Sequence, residues 1–356
     1  MSVEITRASI RKGFKGFAAI TLVSLIVLFY ATVSRESFRA LGRIEVYYLL
    51  LALLLSIVGE WVLSASRIHL FVRLLSDRVG YKSSLRASLA NLCMAAITPS
   101  QTGGGPAQIF VLNREGLSMP ESIAVGVVTF MSTLVFMLIL ALILSGMGLY
   151  NFVGLKFQHL FRYGSWAFAG VFGTFLLLFT RPKIFGLVMD RGTSAVYRIM
   201  GKVYRRPRWI QHLFYYAEEC HTTFWFYLRK GKGTFLVGVG LTFAIFFNKF
   251  VIAWVVLKGL GLNPGLVQVV LIQILILLIV YFSPSPGSSG AAELVSAALM
   301  ARIVPREMLP VYTVLWRFFT LYLGVGVGGT MLLRYLGKGS PIQGEKVEVV
   351  EEMEKE

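Results

Sequence analysis

The chain has 356 residues, 56% of them hydrophobic and only 15% charged, with a mean hydropathy of +0.70. Those values exclude an ordinary soluble domain and predict an all-α integral membrane protein. A net charge of +17 would suggest nucleic acid in a soluble protein, but here the distribution of the charges has a topological explanation and no nucleic-acid partner is expected.

In chain order, the first apolar run, residues 17–33, follows Arg7, Arg11, Lys12 and Lys15. No small-residue cleavage site follows it, so a retained span is expected rather than a signal peptide. Crossing a bilayer takes about 20 apolar residues, and six runs come close or qualify: 17–33, 46–66, 123–149, 165–180, 234–257 and 309–333. Two shorter apolar segments, 87–97 and 266–282, lead instead into Pro/Gly-rich breaks. Cys93 and Cys220 are far apart and give neither a disulfide framework nor a metal-ligand spacing.

The two breaks are twins. Residues 98–108 (TPSQTGGGPAQ) and 283–293 (SPSPGSSGAAE) align without a gap at a constant offset of 185 (284 minus 99). Pro99 then meets Pro284, Ser100 meets Ser285, Gly105 meets Gly290, Gln108 meets Glu293 and Pro120 meets Pro305. Each break reads as the tip of a re-entrant hairpin, because 87–97 is too short to span and non-helical backbone at depth survives only against protein or a water-filled cavity. Full crossing by each half is the alternative.

With a cytoplasmic N-terminus and re-entrant hairpins, 25 Lys and Arg fall on the inner side and 8 outside, as the positive-inside rule requires. Both termini are then expected in the cytoplasm, with the protein in the cytoplasmic membrane. Repeat units 46–149 and 234–335 run in opposite directions, the inverted-topology arrangement in which broken helices meet at a substrate site. The transmembrane domain is predicted over 1–336. Residues 181–232, basic and aromatic, read as a cytoplasmic connector or as interfacial helices gathering anionic headgroups. The tail 337–356 is acidic at its end and predicted to be disordered.

A broken helix leaves backbone groups unpaired, and the half-helix after each tip aims the positive end of its dipole into the break. Gly103, Gly104 and Gly105 permit close approach of a ligand, while Ser100, Thr102, Ser285, Ser288 and Ser289 add hydroxyls. Such a site suits an anionic or phosphate-bearing group; small residues that merely let helices pack and kink are the competing explanation. Charges at depth need partners or a pathway. Glu60, Lys249, Glu293 and Arg317 are such charges, and Glu293 is expected to pair with Lys249 or Arg317, leaving the other cation for a phosphate. The competing explanation is that all four pair with one another or with water and only hold the bundle. Glu60 is read as lying near the inner end of its span, with water close by. Asn113-Arg114-Glu115 would meet an entering headgroup at the membrane edge, or is a helix-end charge cluster.

No nucleophile and base constellation stands out. His69, His159, His212 and His221 are scattered, and no metalloprotease, nucleophile-elbow or ATP-binding motif is present. No enzyme activity, cofactor or metal is expected.

Three stretches carry a family resemblance: TPSQTGGGPAQIFVLNREG (98–116), YFSPSPGSSGAAE (281–293) and LWRFFTLYLGVGVGG (315–329). Together they resemble the lysylphosphatidylglycerol synthase transmembrane region, the flippase part of multiple peptide resistance factor proteins. The resemblance implies translocation of a polar lipid between leaflets. By position it implies substrate contact at Pro99, Gly103, Gly104, Gln108, Arg114, Pro284, Gly287, Gly290, Glu293 and Arg317. Gly105 stands where that family often has Gln or Glu, and no aminoacyl-transfer domain follows the last span, so "synthase" is not expected to apply.

The expected function is a lipid flippase or scramblase for an anionic phospholipid, aminoacylated lipid or polyprenyl phosphate. It would be driven by the lipid gradient or coupled to ions through Glu293, and Glu293→Gln is expected to keep the fold while reducing transport. A secondary transporter of a small soluble anion, an intramembrane lipid-linked transferase and a structural partner of a separate enzyme are the alternatives. A homo-oligomer is compatible with the sequence.

Overall fold

A computed structural model describes residues 7–32, 44–146 and 231–337 apart from Phe282 and Pro284, with scattered positions elsewhere. The expected fourth span, the 181–232 connector and the acidic tail lie outside the described stretches. The described elements are helical: α1 Arg7–Thr32, α2 Val46–Leu75, α3 Tyr81–Ile97, α4 Gly104–Arg114, α5 Met119–Gly146, α6 Lys232–Gly259, α7 Leu266–Tyr281, α8 Ala291–Met300 and α9 over residues 309–337. Among the described residues five segments are long and apolar enough to cross a membrane, Lys12–Tyr30, Val46–Leu75, Met119–Ile143, Lys232–Gly259 and Arg306–Tyr335. This is an all-α, multi-pass membrane protein.

The corresponding first helices of the two repeat units, α2 and α6, lie side by side and antiparallel. Glu45 donates its N–H to the Gly259 carbonyl at 3.0 Å, Asn248 donates to the Leu55 carbonyl at 2.9 Å, and Arg67 donates to Thr242 at 3.0 Å. Residue numbers thus rise on one helix as they fall on the other, which inverts one unit relative to the other. Close packing rather than water expulsion holds helices together in lipid. Gly59 faces the Asn248 side chain and Gly238 faces the Phe71 ring so closely that a Cβ would clash at either. Outward apolar side chains such as Leu50, Leu54, Leu236 and Val267 are exposed and suit contact with lipid chains.

Between its two long helices each unit folds a helix pair back on itself. The first helices of these pairs, α3 and α7, start 185 residues apart, at Tyr81 and Leu266. At the tips the spacing changes. The short 3-10 turns are Pro99–Gln101 and Pro286–Ser288, and the residues preceding the second half-helices are Gly103 and Gly290, both 187 apart (286 minus 99, 290 minus 103). The gap-free match of Pro99 with Pro284 therefore gives way to Pro99 with Pro286, two extra residues having entered the second tip. One consequence is that Glu293 is the third residue of its half-helix, whereas Gln108 is the fifth of its own.

Both tips depart from helix for local reasons. Thr98 is extended before Pro99, as a residue preceding proline prefers. Ser100 and Gln101 then adopt φ of 50° and 58°, and Gly287 and Ser288 adopt 55° and 56°. The Thr98 hydroxyl serves both sides of the first break, donating to the Met94 carbonyl at 2.7 Å and accepting the Gly103 N–H at 2.8 Å. The tips touch each other, with Gln101 Nε2 3.4 Å from Ser288 Oγ. Arg317 of α9 donates to the Gly287 carbonyl at 3.2 Å, and two residues on, the Phe319 carbonyl accepts from Ser56 of α2 at 2.6 Å. Ser56 and Arg317 lie in the middle portions of their spans, so the hairpins turn back near mid-height of the bundle. Helix α1 crosses both tips: Gly13 packs on Ile97, Phe17 on Gly287, and Thr21 donates to Ser289 at 3.0 Å.

A polar cavity between the hairpins

The tips, α2, α5, α6, α7 and α9 enclose a cavity of about 630 Å³. Ser100, Gln101, Thr102, Gly104, Gly105 and Gln108 line it from the first hairpin, and Gly287 from the second tip. Gly105 has open space on its Cα, whereas a Cβ on Gly287 would meet the Ala96 carbonyl at 2.7 Å. The first tip is exposed to the cavity; the second, with Gly287, Ser288 and Ser289 buried, is sealed beneath α1.

Three cations among the described residues line the cavity, Arg67, Lys249 and Arg317. Two have counter-charges set behind them. Arg317 donates from Nε to Glu293 at 2.8 Å, and Glu293 is completely buried. The other oxygen of Glu293 accepts the Gly290 N–H at 2.6 Å, tying the first turn of α8. Lys249 Nζ lies 3.0 Å from Glu60, which is 5% exposed, and also over the Phe246 ring.

Glu60 and Lys249 correct two expectations. Helix α2 continues to Leu75 rather than stopping near Ser66, so Glu60 sits at its middle, buried, and not near a watery end. Because Glu60 takes Lys249 and Glu293 takes Arg317, neither of the two cations is left over for a ligand. Both ion pairs lie at π-helical turns, Ile57–Leu63 around Glu60 and Phe318–Tyr322 directly after Arg317. Such turns release backbone carbonyls from the regular ladder and recur at functional sites; the Phe319 carbonyl bonded by Ser56 is one so engaged.

Arg67 is the cavity cation that sequence reasoning missed. Its Nη1 donates to Thr133 at 3.2 Å and to Thr242 at 3.0 Å, and its buried Nε has no hydrogen-bond partner. Among the described residues it forms no ion pair. A signal was present in the sequence: Ala65, Ile68, Phe71 and Val72 recur at helical spacing past Ser66 and are all buried. Asn91 was missed as well; it donates to Gln108 Oε1 at 2.9 Å, which orients the Gln108 amide towards Thr129, 3.5 Å away.

Other predicted positions serve the hairpins rather than the cavity wall. Gly103 packs on Thr98, Ser285 bonds Ser283 at 2.8 Å, and Ser288 donates to the Val280 carbonyl at 2.9 Å. Gly290 takes φ of 85° at the start of α8, and Pro99 lies at the exposed turn of the first tip. Pro284 is outside the described residues. Arg114 is not brought to the cavity; it ends α4 with its guanidinium over the Phe110 and Tyr335 rings, at 5.6 and 5.3 Å. Its neighbour Glu115 accepts from Ser83 at 2.5 Å and from Arg86 at 2.9 Å. Glu115 is partly buried, which raises its pKa, but these bonds and the Arg86 charge hold it below the usual carboxylate range. Among the described residues no three His, Cys, Asp or Glu side chains gather as a metal site would require.

The sequence model of the lysylphosphatidylglycerol synthase TM region matches residues 16–328. The chain belongs to that family. The match runs from α1 through both hairpins and into α9, so every element lining the cavity falls inside the family region. A UPF0104 membrane protein of Archaeoglobus fulgidus is 26% identical over 323 residues, covering 87% of this chain and 93% of the relative.

Proposed function

We propose that this protein is a lipid flippase or scramblase: an anionic or polar headgroup passes between leaflets through the central cavity while the lipid chains stay in the bilayer. The observation that carries the reading is a headgroup-sized cavity at mid-height, lined by two helix breaks and three cations whose two carboxylates stand outside its wall. Membership of a family named for a phospholipid supports a lipid substrate. The charge asymmetry of the loops supports cytoplasmic termini in a cytoplasmic membrane.

In this reading the protein is not an enzyme. Among the described residues the buried carboxylates next to the cavity, Glu60 and Glu293, are each occupied by a cation, so neither stands poised as an acid or base beside a substrate. Translocation requires the seal over the second tip to open as the first closes, exposing the same cavity from the other side. The carboxylate placed to couple transport to protons is Glu293, which joins α8 to α9 at that seal.

The test is leaflet exchange of fluorescent phospholipids in proteoliposomes, read by dithionite quenching, with zwitterionic, anionic and polyprenyl-phosphate lipids and an imposed pH gradient. Exchange by the wild type above that of empty liposomes is the expected result. Absence of exchange for every lipid would transfer the cavity to the second reading, a carrier of a small soluble anion, which the same cations would also serve. Equal exchange at all pH values by wild type and Glu293→Gln would remove proton coupling.

A further inference from the structure

Among the described residues the cavity wall carries three cations, and two buried carboxylates pair with two of them, leaving one net positive charge. Arg67, which feels Glu60 but forms no ion pair, is the cation without a carboxylate of its own. Thr133 and Thr242 fix one end of its guanidinium, and its Nε has no partner. This cavity-lining arginine keeps a buried donor without a partner, and an oxyanion that reaches the guanidinium would offset the cost of that unpaired donor. Polar groups that a phosphoryl oxygen could share surround the same space, among them Gln108, Thr129 and the glycines that open α4. Among the described residues no carboxylate lines the wall, so an added ammonium on a headgroup would find no anion among them.

We propose that Arg67 is the seat of the substrate's phosphoryl group, and that the cavity selects a headgroup with one net negative charge over the same headgroup carrying an added ammonium. This deepens the lipid-transport reading and rests on it only for the source of the phosphoryl group, since a soluble phosphate shares that chemistry. Arg317 and Lys249 then shape the wall without supplying its charge.

Binding to the purified full chain in detergent, measured by isothermal titration calorimetry, tests the seat. The probes are dihexanoylphosphatidylglycerol, its lysyl ester and inorganic phosphate. Wild type is expected to bind the phosphatidylglycerol more tightly than its lysyl ester. Arg67→Met should weaken the former by about tenfold or more, and Arg67→Lys by less, as loss of a charge-assisted bond predicts. Unchanged affinity in a folded Arg67→Met protein overturns the proposal, and so does tighter binding of the lysyl ester by wild type, a comparison that needs no variant.

Proteoliposomes separate this proposal from the function it deepens. Leaflet exchange of phosphatidylglycerol that persists unaltered in Arg67→Met removes the seat and leaves the flippase standing. Phosphate binding that depends on Arg67, with no lipid exchange by wild type, keeps the seat and assigns it to a soluble anion.

Discussion

Arg317 donates to Glu293 at 2.8 Å, with side chains 7% and 0% exposed, and so joins the last spanning helix to the start of the half-helix that follows the second break. A buried pair of this kind contributes little over an apolar pair, but breaking it strands one charge, at about 3–5 kcal/mol. Glu293→Gln keeps the shape and leaves Arg317 without a counter-charge, so the expectation that this variant preserves the fold no longer holds. It should lower the melting temperature of the detergent-solubilised protein clearly, and Glu293→Gln with Arg317→Gln should recover part of the loss. A double variant as unstable as the two single losses combined would show that the pair does not act as a unit.

Helices α3 and α9 approach at Gly328, where an added Cβ would run into the backbone carbonyl of Leu89 and crowd Cys93. A carbonyl in a helix cannot swing aside as a side chain can, so Gly328→Ala must push the helices apart, at about 1–3 kcal/mol. A Cβ added at Gly326, two residues earlier and on a different face of the helix, would meet nothing within 4 Å, and Gly326→Ala should be neutral or slightly stabilising. Thermal unfolding of the two variants side by side checks the contrast, and equal melting temperatures would remove the close approach as a structural requirement.

Much of this architecture is legible in the residues. Pro99 and the glycines after it break a hydrophobic run where lipid forbids an open backbone, and the twin at 283–293 makes the break a repeat. The antiparallel course of α2 and α6 follows from the charge asymmetry of the loops. What the sequence hides is register and pairing. Two added residues in the second tip are invisible because Pro284 and Pro286 both offer a partner to Pro99, and only the positive φ of Ser100 and Gly287 identifies equivalent positions. Arg67 reads as a flanking charge because polar Ser64 and Ser66 mimic a helix end, although Ile68, Phe71 and Val72 continue the buried face. Lys249 reads as available because its partner Glu60 is 189 residues earlier (249 minus 60) and only the packing of α2 on α6 unites them.

Glu115 closes the first hairpin away from the tips, bonded by Ser83 and Arg86 at the start of α3. Its pKa is held below the usual carboxylate range, so its contribution is fully present above the unfolded value, about 4.3–4.5. The contribution is lost as pH falls through the lowered folded value. Arg86 is half exposed, which limits the effect to about 1 kcal/mol or less. Between pH about 7 and about 4 most of the bond should survive, and acidification below that should release it. Glu115→Gln should therefore flatten the acid limb of a plot of melting temperature against pH; an acid limb identical to wild type would show that other carboxylates set it.

Thr21 of α1 donates to Ser289 of the second tip at 3.0 Å, and Phe17 packs on Gly287 beside it. If the cavity serves both leaflets in turn, this contact must open once per cycle, because it covers the second tip while the first is exposed. Side-chain oxygens that close place two β-carbons near the separation that a disulfide needs. Thr21→Cys with Ser289→Cys should therefore cross-link under mild oxidation, and lipid exchange in proteoliposomes should fall to the empty-liposome rate and return on reduction. Neither single variant, made with Cys93 and Cys220 replaced by alanine, should respond to the redox change. Full exchange by the cross-linked protein would mean that α1 and the second tip move as one body, and that the opening lies elsewhere, between α1 and the first hairpin where Gly13 meets Ile97.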